Sequence, residues 1–117
     1  MKAIIELSRR GSIFNAVAQQ VADARRGRPT DYRLSFESAR SLFAELTPAR
    51  LDLLDTLRRT GACSVKALAK AAERNYSNVH TDVSRLEELG LVERTEDGMI
   101  FVPFDAIEIR FPLAQVA

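Results

Sequence analysis

One cysteine and one histidine, Cys63 and His80, are all that the 117 residues offer of the two side chains most used in redox, metal and acid–base chemistry. A lone cysteine excludes an internal disulfide framework, fits a reducing compartment and cannot hold a metal by itself. There is no glycine-rich phosphate loop, no His/Cys/acid cluster at metal-ligand spacing and no nucleophile with a histidine near it in sequence. The chain is therefore expected not to be an enzyme, and to need neither cofactor nor metal. Apolar runs are only a few residues long, and the opening MKAIIE has no signal-peptide core, so the expected location is the cytoplasm, with no membrane partner. A net charge of +1 gives no general attraction to nucleic acid; any such binding must come from local patches.

What is present is 46% hydrophobic residues, ample for one compact domain or a small domain with an appendage. The segment 47–102 carries the clearest pattern. Thr47 can cap a helix in which Pro48 occupies the first turn, where no hydrogen bond is lost, and Leu51, Leu54 and Leu57 form its apolar stripe. A turn through Thr60, Gly61 and Ala62 leads to Ser64, a second cap, followed by Val65, Leu68, Ala69 and Ala72 at helical spacing.

A third helix follows the turn at Glu73, Arg74 and Asn75. Tyr76, Val79, Val83 and Leu86 recur on one side of it, and Gly90 supplies a left-handed stop. Its opposite face carries Ser77, Thr81, Ser84 and Glu88, flanked by Asn78, His80 and Arg85. Mostly small and hydrogen-bonding, these side chains suit the edges of bases in a major groove: asparagine can bond adenine twice, arginine can do the same to guanine, and serine or threonine can serve bases or phosphates. From Leu91 the pattern turns extended, and the pair Asp97-Gly98 between apolar runs signals a hairpin. Helix, helix, helix, hairpin is the order in which a winged helix-turn-helix presents its third helix to DNA.

These residues carry a family resemblance. LTPARLDLLDTLRR, NYSNVHTDVSRLEELGLVER and DGMIFVPFDAIEIRFPL together resemble the small prokaryotic DNA-binding proteins with a MarR-like winged helix, including antitoxin-type transcriptional regulators. The resemblance implies transcriptional control of an operator in double-stranded DNA and, in the antitoxin setting, a repressor that also binds a cognate toxin. It places the reading helix on 76–89, with contacts from Ser77, Asn78, Thr81 and Arg85 and with His80 and Ser84 behind them. Tyr76 is expected as a core anchor, its hydroxyl either reaching the DNA backbone or buried with the ring. Lys66, Lys70, Arg74 and Arg85 are expected to form a local basic stripe along the helix-turn-helix. That stripe has to be local, because residues 47–117 hold nine Lys/Arg against eleven Asp/Glu. Glu96 and Asp97 at the hairpin tip disfavour entry into a minor groove.

Residues 1–46 read as a strand–helix–strand–helix unit: 3–7 β-prone, a helix from Ser12 to about Arg26 with Phe14, Val17, Ala18 and Val21 on one face, a strand over 32–36, and a helical pattern over 37–46. Arg25, Arg26 and Arg28 read as cations at a helix C-terminus or as a DNA or toxin contact. The unit is too small to bury its faces alone, which makes it a candidate for dimerisation or partner binding. Residues 103–117 form a tail whose strand is expected beside the hairpin or at a dimer edge. The expected fold is thus α+β, a winged helix-turn-helix with a small N-terminal unit, and a homodimer on a palindromic site. Two other readings stay open: a regulator responsive to a ligand or to oxidation of Cys63, and a winged-helix adaptor that binds protein alone.

Overall fold

Ala3, Ile4 and Ile5 are consecutive apolar residues, as a strand buried on both faces requires, and they form the middle of β1 (Lys2–Leu7), where all three are fully or almost fully buried. In a computed structural model that describes residues 1–7 and 31–113, β1 is the central strand of a parallel sheet. On one side lies β2 (Tyr32–Phe36), with Ala3 opposite Tyr32 and Ile5 opposite Leu34. Helix α1 (Ala39–Glu45) packs against β2 and buries Leu42. The helix expected over 12–26, with Arg25, Arg26 and Arg28, lies outside the described residues.

The other neighbour of β1 is the C-terminal strand β5 (Ala106–Arg110), paired in parallel with Ala3 opposite Ile107 and Ile5 opposite Ile109. This corrects one of the two sequence readings of the tail: the strand joins the N-terminal sheet and does not lie beside the hairpin. Its physical reason is two-sided complementarity. Ile107 and Ile109 extend the apolar face begun by Ala3 and Ile5, while on the opposite face the Lys2 ammonium donates to Glu108 at 2.8 Å.

The chain divides into two compact units, Met1–Glu45 with Ala106–Ala117, and Leu46–Asp105. The second holds helices α2 (Pro48–Thr60), α3 (Val65–Ala71) and α4 (Tyr76–Glu88), then the short strands β3 (Glu93–Arg94) and β4 (Ile100–Phe101). Each helix begins with the capping residue its sequence offers: Thr47 Oγ1 accepts from the Arg50 amide at 3.2 Å, Ser64 Oγ from Ala67 at 3.0 Å, and Asn75 Oδ1 from Asn78 at 3.2 Å. α3 packs on α2 and α4, with Leu53, Leu54, Leu57, Leu68, Val79, Val83 and Leu86 in the core. Leu51, expected in the stripe of α2, is only half-buried, and Leu53 takes its place.

β3 and β4 pair antiparallel, and Cys63 adds a third rung through two backbone hydrogen bonds to Ile100, at 3.1 and 2.8 Å. The hairpin turn closes through Gly98, whose φ of +83° suits glycine, with its amide on the Thr95 carbonyl at 3.0 Å. Among the described residues no helix is long and apolar enough to cross a membrane, and no group of three or more His, Cys, Asp or Glu is placed to hold a metal ion.

Candidate nucleic-acid interface

α4 is a two-sided helix because its sequence is. Val79, Val83 and Leu86 are buried, while Ser77, Asn78, His80, Thr81 and Glu88 are exposed and Ser84 and Arg85 are half-buried. The outward face therefore carries every base-contact candidate read from the sequence, with Ser77 and Asn78 in the first turn. Thr81 Oγ1 donates to the Ser77 carbonyl at 3.0 Å, which fixes its hydroxyl and leaves the oxygen as an acceptor towards solvent. Ser77, Thr81, His80 and Tyr76 line an open depression of about 300 Å³ at the N-terminal end of this face.

Tyr76 departs from its expected place in the core. It is 51% exposed, and its ring lies 5.9 Å from that of His80 with the planes tilted by 42°. Helical side chains lean towards the helix N-terminus, so the first residue of α4 overhangs the end of the core and packs on its i+4 neighbour instead. Tyr76 lines the same depression as Ser77.

Both helix ends are set by local backbone chemistry. At the C-terminus Gly90, with φ +80°, places its amide on Glu87 and that of Leu91 on Leu86, each at 3.0 Å, which satisfies two orphan carbonyls. At the N-terminus the turn from α3 passes through Glu73, a non-glycine residue at φ +54°, and repeats the same pair of bonds from Glu73 to Lys70 and from Arg74 to Ala69. This tight turn brings Asn75 into capping position directly before α4.

Of the four residues of the expected basic stripe, two are ion-paired within the chain. Lys66 and Lys70 are exposed on α3. Arg74, however, is an internal strut: its Nη2 donates to Asp82 Oδ2 at 2.7 Å, and its Nη1 is buried without a hydrogen-bond partner. Arg85 donates to Glu88 at 2.7 Å, one turn along the same helix, with its side chain 38% exposed. An arginine with an acidic residue in reach satisfies it first, and sequence spacing alone overlooked both partners.

Asp82 was the residue missed. It flanks the buried side of α4 and accepts from Arg50 Nε of α2 at 3.0 Å as well as from Arg74, tying α4 to α2 and to the turn between α3 and α4. Burial would raise its carboxyl, but the two guanidinium groups outweigh burial and hold it below the ordinary carboxylate value. The available signal was an acid at the edge of an apolar stripe in a helix otherwise rich in serine and threonine. A second tie joins helix to hairpin: Arg94 of β3 donates to both Glu87 carboxylate oxygens, at 2.5 and 3.3 Å, and to the Gly98 carbonyl at 3.1 Å. Glu96 and Asp97 are exposed at the hairpin tip.

A model of the family described as HVO_A0114 matches residues 45–109, a stretch that contains α2, α3, α4 and the hairpin. No curated protein and no solved structure matches the chain.

Proposed function

The chain belongs to the HVO_A0114 family, and we propose that the matched segment is a winged helix-turn-helix that reads double-stranded DNA in a sequence-specific way. The observation that carries this reading is the outward face of α4, where Ser77, Asn78, His80 and Thr81 stand exposed on a helix tied through Asp82 and Glu87 to its surroundings. A rigid helix with short hydrogen-bonding side chains in its first two turns meets base edges at little entropic cost. In this reading α4 enters the major groove. Ser77, Asn78 and Thr81 supply selectivity, Lys66 and Lys70 contact phosphates, and the acidic hairpin tip stays clear of the backbone. Occupation of a promoter then represses transcription by occlusion. The likeness to antitoxin-type regulators extends the proposal to a toxin as second partner.

A second reading has its own support: with Arg74 and Arg85 engaged by Asp82 and Glu88, the surface is less basic than DNA binders generally need, as a helix used for protein contact alone requires. Fluorescence anisotropy on the DNA upstream of the protein's own gene and on a scrambled duplex, at two salt concentrations, separates the two. Tighter binding to the upstream fragment that persists at higher salt supports DNA reading. Weak, equal binding that vanishes with salt leaves protein contact as the function.

A further inference from the structure

The three-stranded sheet has two unlike faces, because paired residues of neighbouring strands point the same way. One face carries Ala3 and Ile5 of β1 beside Tyr32 and Leu34 of β2 and Ile107 and Ile109 of β5; the other carries the buried Ile4 at its centre, with Lys2, Glu6, Arg33, Glu108 and Arg110 charged around it. β5 is an edge strand, and among the described residues no strand pairs with its outer side. Apolar surface gathers there: Ile109 is 38% and Phe111 49% exposed. On the charged face Glu108 is held by Lys2 at 2.8 Å and Arg110 at 3.1 Å, with 39% of Glu108 and 50% of Arg110 still open to solvent.

We propose that β5 pairs antiparallel with β5 of a second copy of this chain, about a two-fold axis through Ile109, so that two three-stranded sheets join into one of six strands. The partner follows from the strand's own sequence. With the axis at Ile109, each Glu108 stands opposite Arg110 of the second copy and each Ile107 opposite Phe111, so both charged pairs are complementary and the apolar residues meet on one face. Moving the axis to Glu108 or Arg110 sets like charges against each other. A shift by one residue sets the apolar face of one sheet against the charged face of the other. The sequence Ile-Glu-Ile-Arg-Phe is thus self-complementary in one register. A six-stranded sheet also lies within the usual size range, and the pairing covers an edge that otherwise invites unspecific association. The inference stands apart from the DNA reading: a chain with no affinity for DNA can still pair this way.

Sedimentation equilibrium of the full chain, with circular dichroism to confirm folding, tests it. The wild type is expected to be a dimer at micromolar concentration. Glu108→Arg and Arg110→Glu each set like charges across the axis and are expected to weaken self-association about tenfold. Mixed together, the two variants restore complementarity and are expected to form a heterodimer, which a loss of fold or of the Lys2 contact cannot produce. Should either variant fail to fold, cross-linking decides: in a Cys63→Ser background Ile109→Cys is expected to form an intersubunit disulfide under mild oxidation, and Arg110→Cys is not. A wild-type monomer overturns the proposal and leaves the edge to a strand of a different protein. Charge variants that stay as dimeric as the wild type, a mixture that does not associate, or equal cross-linking at 109 and 110 also overturn it.

Discussion

Arg74 and Asp82 face each other across the turn into α4, with the guanidinium Nη2 2.7 Å from the carboxylate Oδ2, and 29% and 16% of the two side chains open to solvent. Arg50 holds the second oxygen of the same carboxylate at 3.0 Å. One acid therefore neutralises two cations in a setting where neither is well hydrated. Asp82→Asn keeps the shape but removes the negative charge that both guanidinium groups share, and is expected to cost about 2–3 kcal/mol of folding stability. The urea midpoint reads it; a loss below about 0.5 kcal/mol means that the three side chains do not hold one another in solution.

The same carboxylate makes stability depend on pH, with a definite sign. Its folded value is depressed, so its contribution is fully present above the unfolded value and disappears as pH falls through the folded one. The window opens below about pH 4, near the ordinary aspartate value. Urea titrations of the wild type and of Asp82→Asn are expected to converge as the solution is acidified through that window. A gap that stays constant to about pH 2 rules out a depressed Asp82 as its source.

The hairpin turn tests backbone conformation without confounding contacts. Gly98 has φ +83°, and a Cβ built there has no neighbouring atom within 4 Å, so Gly98→Ala adds strain and no clash. About 1 kcal/mol of destabilisation is expected, with faster amide exchange at Thr95 and Met99, which bond each other across the turn. Unchanged exchange there means that the turn relaxes into another shape.

On DNA, Asn78→Ala is expected to cost about 1–3 kcal/mol on the preferred sequence and to relax selectivity at one base pair. An equal loss on every sequence makes Asn78 a phosphate contact, and no loss at all removes α4 from the groove. Competition binding against single-base variants of the site distinguishes these outcomes.

Glu88 holds Arg85 at 2.7 Å on the exposed side of α4, so any DNA contact by Arg85 has to compete with that ion pair. Glu88→Gln is expected to tighten DNA binding about two- to fivefold and to steepen its salt dependence. If Glu88→Gln leaves both unchanged, Arg85 plays no part in the interface. Arg85→Ala in the same assay then checks the assignment from the other side.

Much of the second unit was legible locally. Thr47 and Ser64 cap the first two helices, Gly90 ends the last one, and Asp97-Gly98 marks the hairpin, because caps and turns are satisfied by atoms a few residues apart. The outward face of α4 was legible for the same reason: helical periodicity alone decides which side Val79, Val83 and Leu86 must bury. Tyr76 escaped because periodicity does not say where a core stops, and at the first position of a helix the side chain overhangs it.

What sequence by itself determined about this protein is therefore whatever nearest neighbours and helical spacing fix: the order of elements, their ends, and the short polar face that α4 turns outward. Tertiary structure alone decided the rest, which depends on groups far apart in the chain. It sent β5 to pair with β1 across more than a hundred residues, because only there do Ile107 and Ile109 continue an apolar face while Glu108 meets Lys2. It also set Arg74 against Asp82, which lies eight residues further on and on the next helix. A guanidinium is committed by the nearest carboxylate in space, and proximity in space is what folding creates.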